Sequence, residues 1–156
     1  MQEIQWTLYR FEQLPNELLY DIIKLRVDVF VVEQTCPYPE LDNLDKHPDV
    51  YHLVGEIKGE IAAYARLLPP KCSYDEASIG RVIIAPNARG LGLAHQLIDA
   101  ALDYQFDQCQ YPSLTIGAQA HLTDFYQQHG FEVISEPYLE DDILHVKMHL
   151  NSEDRA

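Results

Sequence analysis

The segment that most constrains this chain is residues 82–98, in which an apolar run meets a turn containing Gly90 and Gly92 that leads directly into a helix. The pattern predicts a strand, a loop and a helix in that order. Glycines allow the backbone to approach a ligand closely, and the free N–H groups of a helix N-terminus attract anions because the positive end of the helix dipole lies behind them. The segment therefore predicts an anion cradle, most naturally one for phosphate.

Two other phosphate-binding patterns can be compared with this cradle by their spacing. A dinucleotide-binding fold has three glycines in a G-x-G-x-x-G pattern followed by an acidic residue, and a P-loop has Gly-Lys-Ser/Thr before its helix. Neither pattern is present. A tight strand-to-helix turn without a ligand stays open as an alternative on spacing alone.

Composition predicts one domain. The chain has 156 residues, 47% of them hydrophobic, and no Pro/Gly/Ser-rich linker divides it, so it can bury one sizeable core. We expect a single domain over residues 1–150, with residues 151–156 as a frayed C-terminal tail.

The formal net charge of −14 argues against nucleic acids and anionic membranes as partners and favours amines and other cations. Cys36, Cys72 and Cys109 lie far apart without a C-x-x-C pair, so no disulfide framework and no metal site is expected. The first residues lack a basic region and no segment has the roughly 20 apolar residues of a membrane span. We therefore expect a cytoplasmic protein.

Periodicity predicts the remaining elements. A strand begins the chain, a helix follows with Asn16 as its N-cap, and a long acidic segment broken by prolines comes next. Lys58-Gly59 is predicted to be the turn of a β-hairpin, and Gly130 is predicted to end a short helix that begins at Leu122. The further strands are expected near residues 77–84, 113–118, 131–134 and 143–150, with a crossover helix from the cradle to about Asp107.

Three segments carry recognisable motifs: Arg89-x-x-Gly92-x-Ala94, Phe125-Tyr126 followed by Gly130-Phe131, and residues 25–45. Together they resemble the GNAT superfamily of N-acetyltransferases. Arg89-x-x-Gly92-x-Ala94 resembles the sequence that holds the pyrophosphate of acetyl-CoA in that family, and Phe125-Tyr126 followed by Gly130-Phe131 resembles its second motif. Residues 25–45 are similar to the ElaA-like subgroup. The resemblance covers nearly the whole chain and implies an α/β (α+β) fold: one GNAT-like domain whose mixed, mostly antiparallel sheet is splayed between a parallel pair of strands and flanked by helices.

The resemblance implies an acetyl-CoA-dependent N-acetyltransferase in which an amine attacks the thioester directly. Tyr126 then corresponds to the general acid, and a backbone N–H at Val82 or Ile84 to the oxyanion donor. Gln119 stands where the family often has Asn, and Ser78 stands where some members have a carboxylate base. The implied cofactor contacts are Val82, Ile83, Ile84, Arg89, Gly90, Leu91, Gly92, Leu93, Ala94, His95, Gln119 and Tyr126.

The general base has to come from elsewhere, or be water. Candidates are Glu33, His52, His121 and His145, with His121 favoured because it precedes the Tyr126 helix and Glu33 because an apolar run before it could raise its pKa. An anionic rim would select a cationic amine, so we expect a substrate pocket formed by Glu33, Tyr38, Glu40, Asp42 and Asp45. A solvated acidic loop is the alternative. Arg26, Arg66 and Arg81 are expected to pair with this acidic segment.

There are two alternatives to an N-acetyltransferase, of which the second lacks support. One is a non-catalytic acyl-CoA-binding or interaction module with the same fold. The other, acyl-homoserine-lactone synthesis, shares the arginine and Val-Phe near the first helix, but the resemblance implies a poorer cradle for those enzymes. The expected partner is a small-molecule or peptide amine, and the resemblance associates exposed late strands with homodimers.

Overall fold

The computed structural model describes residues 3–156, so the first two residues of the predicted domain lie outside the described residues. The described residues form eight strands and three α-helices. The strands are β1 (Gln5–Arg10), β2 (Tyr51–Ile57), β3 (Glu60–Leu68), β4 (Ser78–Ile84), β5 (Ser113–Gln119), β6 (Glu132–Val133), β7 (Tyr138–Glu140) and β8 (Ile143–Asn151). The helices are α1 (Asn16–Arg26), α2 (Leu93–Leu102) and α3 (Thr123–Gln127), and π-helical turns at Val27–Glu33 and Asp103–Gln108 extend the first two.

The strands form two sheets that meet at one point. β1, β2, β3 and β4 are antiparallel neighbours in that order, and β5 pairs with β8, which also pairs with β6 and β7. A single parallel bridge, Ala77 to Leu114, joins the sheets within residues 3–156, and the Thr115 N–H donates to the Ala77 carbonyl at 3.0 Å. Beyond that bridge β4 and β5 separate. The predicted splayed, mostly antiparallel sheet is confirmed.

Helices cover both faces of the first sheet. On one face, Leu97 and Ala101 of α2 pack with Ala63 and Ala65 of β3 and with the apolar side of the second sheet. On the other face, Ile22 of α1 packs with Val54, Tyr64 and Ile83. The gap between β4 and β5 therefore connects the face of the sheet covered by α2 with the face covered by α1.

The Lys58-Gly59 hairpin turn is confirmed. Both residues have positive φ, +53° and +79°, and Ile57 pairs with Glu60 across the turn. This is the two-residue geometry whose twist matches that of the flanking strands.

Two expectations, one about the start of α1 and one about the C-terminal tail, were wrong. Pro15, not Asn16, is the N-cap of α1, and no side chain caps that helix. The C-terminal residues do not fray: the Ala156 N–H donates to the His129 carbonyl at 3.2 Å, and Arg155 forms an ion pair with Asp103 at 2.8 Å. Gly130, with φ +101°, makes room for this tail, because a Cβ there would lie 2.5 Å from the Asp154 carbonyl oxygen.

Candidate active site

A cavity of about 960 Å³ occupies the splay between β4 and β5. Its lining residues come from β3, β4, β5, β7 and β8, from the N-terminus of α2, and from α3. The cavity reaches both faces of the sheet, since Tyr126 and Ile116 belong to the α2-side core while Phe30 belongs to the α1-side core. A donor and an acceptor can therefore enter from opposite faces and meet at the strand edges.

The predicted cradle lies at one end of this cavity. Gly90 and Gly92 have φ values of +83° and +75°, and a Cβ on either glycine would meet no atom within 4 Å. Gly92 is the N-cap of α2, no side chain caps the helix, and its first turn has no acidic residue. The positive end of a ten-residue helix thus faces open space without a counter-charge, which suits a phosphate group.

Arg89 is held beside the cradle by Glu33. Its guanidinium donates two hydrogen bonds to the Glu33 carboxylate, at 2.7 and 2.8 Å, and one to the Ile84 carbonyl at 3.2 Å. Hydrogen bonding to Arg89 lowers the pKa of Glu33 from its ordinary value. The expectation of a raised pKa at Glu33 was therefore wrong, because the carboxylate is partly exposed and paired with a cation.

Most of the predicted cofactor contacts are found together. The residues of that set on the cavity wall are Val82, Ile83, Ile84, Arg89, Gly90, Gly92, Leu93, Ala94, Gln119 and Tyr126. Leu91 points away and is 63% exposed. His95 is absent from the wall because its Nδ1 lies 2.9 Å from His129 Nε2 and its ring packs on Phe125.

The edge of β4 that faces β5 has no partner strand past Ala77 within residues 3–156. A bulge interrupts its pairing with β3 between Tyr64 and Arg66, and Arg81 there has φ +51°. Bulges redirect the backbone groups that follow them. Val82 and Ile84 come directly after this bulge, so the strand that leads to the cradle also presents polar backbone groups to the cavity.

Tyr126 lies on the α2 side of the cavity and is 7% exposed. Its ring packs edge-on against Phe125 and Phe131. Burial raises the pKa of Tyr126 to about 12, so the phenol is protonated at neutral pH. A buried phenol in a reaction cleft can donate a proton to a leaving group.

Gln119, at the end of β5, connects the two walls of the cavity. Its side-chain nitrogen donates to Gln34 Oε1 at 3.4 Å, and both residues line the cavity. Gln34 follows the π-helical turn that contains Glu33. Gln34 was not among the predicted site residues, because a contact across 85 residues of sequence leaves no local pattern.

The acidic segment and the three arginines form an ion-pair network, as expected, in which Asp42 and Arg81 are partly exposed and the other members are buried. Arg26 bonds Glu40 at 2.7 Å and Asp45 at 2.6 Å, Arg66 bonds Asp42 at 2.9 Å and Asp45 at 3.1 Å, and Arg81 pairs with Glu40 at 3.0 Å. Burial alone would raise the pKa of Asp45, but the Arg26 and Arg66 guanidinium groups hold that pKa below its ordinary value.

This network corrects the expectation of an open anionic rim. Glu40 and Asp45 are only 5% and 7% exposed, and Glu40, Asp42 and Asp45 are all neutralised by arginines. Tyr38 donates to Glu40 at 2.9 Å rather than projecting into the cavity. Three cations and three anions compensate each other, so these carboxylates tie the segment to the sheet.

The three histidines among the candidate bases lie in different environments. His52 is 1% exposed, with Nδ1 2.7 Å from the Tyr64 hydroxyl and Nε2 3.1 Å from the Asp45 carbonyl, so it belongs to the core. His121 is exposed on the cavity wall. His145 is buried on the same wall, with Nε2 3.5 Å from Glu140.

Apart from His145, the residues of a polar wall on the α1 side of the cavity were not predicted from the sequence. That wall contains Tyr74, Tyr138, Glu140, His145 and Lys147. One signal was available: His145, Lys147 and His149 alternate with Val146, Met148 and Leu150, which gives β8 one polar and one apolar face. The tyrosines had no comparable signal.

Two further findings concern residues 3–156 as a whole. None of their helices combines the length and apolar character that crossing a bilayer requires. They also contain no group of three His, Cys, Asp or Glu side chains arranged to hold a metal ion.

Known proteins resemble this chain in sequence and structure. Residues 22–152 match the acetyltransferase (GNAT) domain family. Protein ElaA of Escherichia coli is 38% identical over 93% of this chain and 95% of its own length. The solved structure of an acyl-CoA N-acyltransferase from Pseudomonas aeruginosa is 41% identical, covers 94% of this chain and 99% of its own, and superposes with a TM-score of 0.88.

A more distant structure shares the fold. Spermidine N-acetyltransferase from Vibrio cholerae, solved with CoA and spermine, is 20% identical over 96% of this chain and 97% of its own, with a TM-score of 0.72.

Proposed function

Because this chain belongs to the GNAT family of acyl-CoA-dependent acyltransferases, within its ElaA-like subgroup, we propose that it is an acetyl-CoA-dependent N-acetyltransferase. The acceptor is an amine of a small molecule or peptide, and the amine attacks the thioester directly. Residues 1–150 form the single catalytic domain.

One observation carries this proposal: the cradle at Gly90 and Gly92 lies in the same cavity as the unpaired edge of β4 and the buried phenol of Tyr126. The open space over both glycines and the uncapped start of α2 fit a pyrophosphate. The unpaired strand edge fits an extended arm that hydrogen-bonds like an added strand. A turn without a ligand would explain the glycines but not this continuity.

Residues that line the cavity then have defined roles in the reaction. Acetyl-CoA supplies a thioester, on whose carbonyl carbon the amine nitrogen forms a C–N bond while the C–S bond breaks. Backbone N–H groups after the β4 bulge, at Val82 or Ile84, stabilise the negative charge that develops on the carbonyl oxygen. Tyr126 protonates the departing thiolate, and Gln119 contacts the arm of the coenzyme.

The amine enters from the α1 face, because the cradle and Tyr126 occupy the α2 face. Two histidines of residues 3–156 line the cavity, His121 and His145, and the imidazole of either can act as the general base. Glu33 fits the positioning of Arg89 better than the role of base, since its pKa is lowered. Spermine in the Vibrio cholerae enzyme does not identify the acceptor here, because 20% identity supports the fold alone.

A non-catalytic CoA-binding module is the alternative, and two measurements on the same protein separate it from an enzyme. Calorimetry gives the affinity for CoA, and thiol release from acetyl-CoA reports turnover with amino acids, polyamines, aminoglycosides and peptides. The proposal predicts CoA binding together with amine-dependent thiol release. Tight CoA binding without turnover across the whole panel would support the module instead.

The same proposal includes a homodimer of this chain. Val133, Ile134, Leu139 and Leu144 are apolar side chains between 41% and 69% exposed on and beside the late strands. A second copy would cover them. Light scattering at micromolar concentration tests this, and a monomer mass would contradict it.

A further inference from the structure

Five residues on the α1 side of the cavity form what we call the acceptor wall: Tyr74, Tyr138, Glu140, His145 and Lys147. The wall has no part in the cradle or in proton donation by Tyr126. It lies on the face through which the proposed amine enters, so its chemistry bears on which amine the protein accepts.

The acceptor wall carries one free charge of each sign. Among the lining residues of the described chain, Arg66, Arg81 and Arg89 are each paired with a carboxylate, whereas Lys147 forms no ion pair. Glu140 is the one carboxylate that lines the cavity in residues 3–156, and it faces His145. A free cation and a free anion on one wall complement a ligand that carries both charges.

Strand register fixes the spacing of these groups. Lys147 lies opposite Gly117 of β5, and His145 lies opposite both Gln119 of β5 and Tyr138 of β7. Residues 145 and 147 are two apart on β8, so their side chains leave the same face about 7 Å apart. When the ammonium of a ligand lies at His145, a carboxylate on the adjacent carbon of that ligand is therefore within reach of the flexible Lys147 side chain.

Gly117 leaves room for this arrangement. A Cβ on Gly117 would lie 2.8 Å from the Tyr74 hydroxyl and 3.1 Å from the Tyr138 hydroxyl. Both phenol hydroxyls therefore lie close to the Gly117 backbone, which is opposite Lys147. The Lys147 ammonium lies 5.9 Å from the centre of the Tyr74 ring, a cation–π contact that holds it over the cavity without neutralising it.

His145 has a defined proton arrangement. Its Nδ1 lies 2.8 Å from the Ile143 carbonyl, and since a carbonyl only accepts, Nδ1 carries the proton and donates it. Nε2 is then a lone-pair acceptor that lines the cavity 3.5 Å from Glu140. Glu140 is a carboxylate partner for Nε2, whereas exposed His121 has no such partner among the described side chains.

We propose that the acceptor is an amine bearing a carboxylate, as in an amino acid, with its ammonium at His145 and Glu140 and its carboxylate at Lys147. His145 Nε2 takes one proton from the ammonium and passes it to solvent. The freed nitrogen forms the C–N bond as the C–S bond breaks, and its second proton replaces the one that Tyr126 gives to the thiolate. The products are an N-acetyl amino acid, CoA and one released proton.

This inference rests on the proposed function but makes a narrower claim. A polyamine would place a second cation near Lys147, and an amine without a carboxylate would leave Lys147 unpaired. The −14 net charge favours cations in general, so the preference for a zwitterion has to come from the local charges of the wall.

The test compares matched acceptors with and without the carboxylate. Amino acids of several side-chain classes, their amides, their decarboxylated amines and spermidine are assayed by thiol release. We expect kcat/KM for amino acids to exceed that of their amides at least tenfold. Lys147→Gln should raise KM for amino acids tenfold and leave amides unchanged, while Lys71→Gln, an exposed lysine outside the cavity, should change neither.

Two outcomes would overturn the inference while leaving the proposed function standing: equal or better turnover of amides or spermidine, or an equal effect of Lys147→Gln on every acceptor. Binding gives a readout that does not need turnover. N-acetyl amino acids should bind at least tenfold more tightly than N-acetyl amines without a carboxylate, and Lys147→Gln should abolish that difference. Thiol release with no amine at all would overturn both claims.

Discussion

Glu33 and Arg89, 56 residues apart in sequence, form a two-bond ion pair at 2.7 and 2.8 Å directly beside the cradle. The pair joins the end of the α1 extension to the loop that precedes α2. Both side chains are partly exposed, so the bond can exchange with solvent or with a ligand. Glu33 therefore holds the arginine in place but also puts a negative charge next to the proposed phosphate site.

Replacing Glu33 with Gln should tighten CoA binding, by ~2- to 5-fold, the range expected when an exposed ion pair is removed. The amide keeps one acceptor for Arg89 and removes the charge that repels phosphate. Calorimetric titration with CoA checks this, and Arg89→Gln should weaken binding instead. Turnover at saturating acetyl-CoA should be unchanged in Glu33→Gln, and a hundredfold loss there would restore Glu33 as the base.

Tyr126→Phe should lower kcat by ~10²-fold or more, the usual contribution of a positioned proton donor, with CoA affinity unchanged. Since burial raises the pKa of Tyr126 to about 12, the phenol keeps its proton as pH rises through the neutral and mildly alkaline range. The alkaline limb of the kcat profile should therefore stay flat until pH approaches that value. Tyr20→Phe, on an exposed tyrosine outside the cavity, is the control, and equal effects of the two variants would remove Tyr126 from the reaction.

Gly92→Val should abolish CoA binding while the protein stays folded. In the free protein the added side chain meets open space, so the cost to folding is the unfavourable left-handed backbone, ~1–2 kcal/mol. Gly59→Val is a matched control, because Gly59 has φ +79° and equally open surroundings but lies in the β2–β3 turn. Equal CoA affinity in the two variants, measured by calorimetry, would contradict the cradle assignment.

Asp45→Asn should reduce the free energy of unfolding at pH 7 by roughly 3–5 kcal/mol, because it leaves Arg26 and Arg66 buried without full compensation. The pKa of Asp45 is lowered in the folded protein, so this stabilisation is complete above the ordinary Asp pKa of about 4 and is lost as pH falls through the folded value. Denaturant unfolding of both proteins at pH 7 and pH 3 should show the difference shrinking in acid. Asp107 is exposed and unpaired among the described residues, so the control Asp107→Asn should change the free energy of unfolding little. If the loss of stability in Asp45→Asn did not depend on pH, the ion pairs would not be the cause of that loss.

The parts of the fold that could be predicted from the sequence are those with local causes. The cradle follows from two glycines between an apolar strand and a helix, and the hairpin follows from Lys58-Gly59. The pairing of Arg26, Arg66 and Arg81 with the acidic segment was predictable because a buried charge needs a partner. The same reasoning should have excluded Glu40, Asp42 and Asp45 from an open rim, since one carboxylate cannot serve both purposes.

The features that escaped prediction depend on contacts between distant segments. Arg89 lowers the pKa of Glu33, and Gln34 contacts Gln119 across the cavity. Tyr74, in the loop between β3 and β4, lies close to Gly117 of β5. The ordering of the tail depends on Arg155 meeting Asp103 at the end of α2. In each case the chain brings together side chains whose local sequence gives no sign of the partner.

The most direct test of acetyl transfer follows the acetyl group itself. The protein is mixed with acetyl-CoA that carries an isotopic label in the acetyl group and with a mixture of amino acids, and both protein and small molecules are analysed by mass spectrometry. We expect the label in the amide of an N-acetyl amino acid, formed in proportion to released CoA, with none on the protein during turnover. Label on the protein as an intermediate, or intact acetyl-CoA after prolonged incubation with every amine, would contradict it.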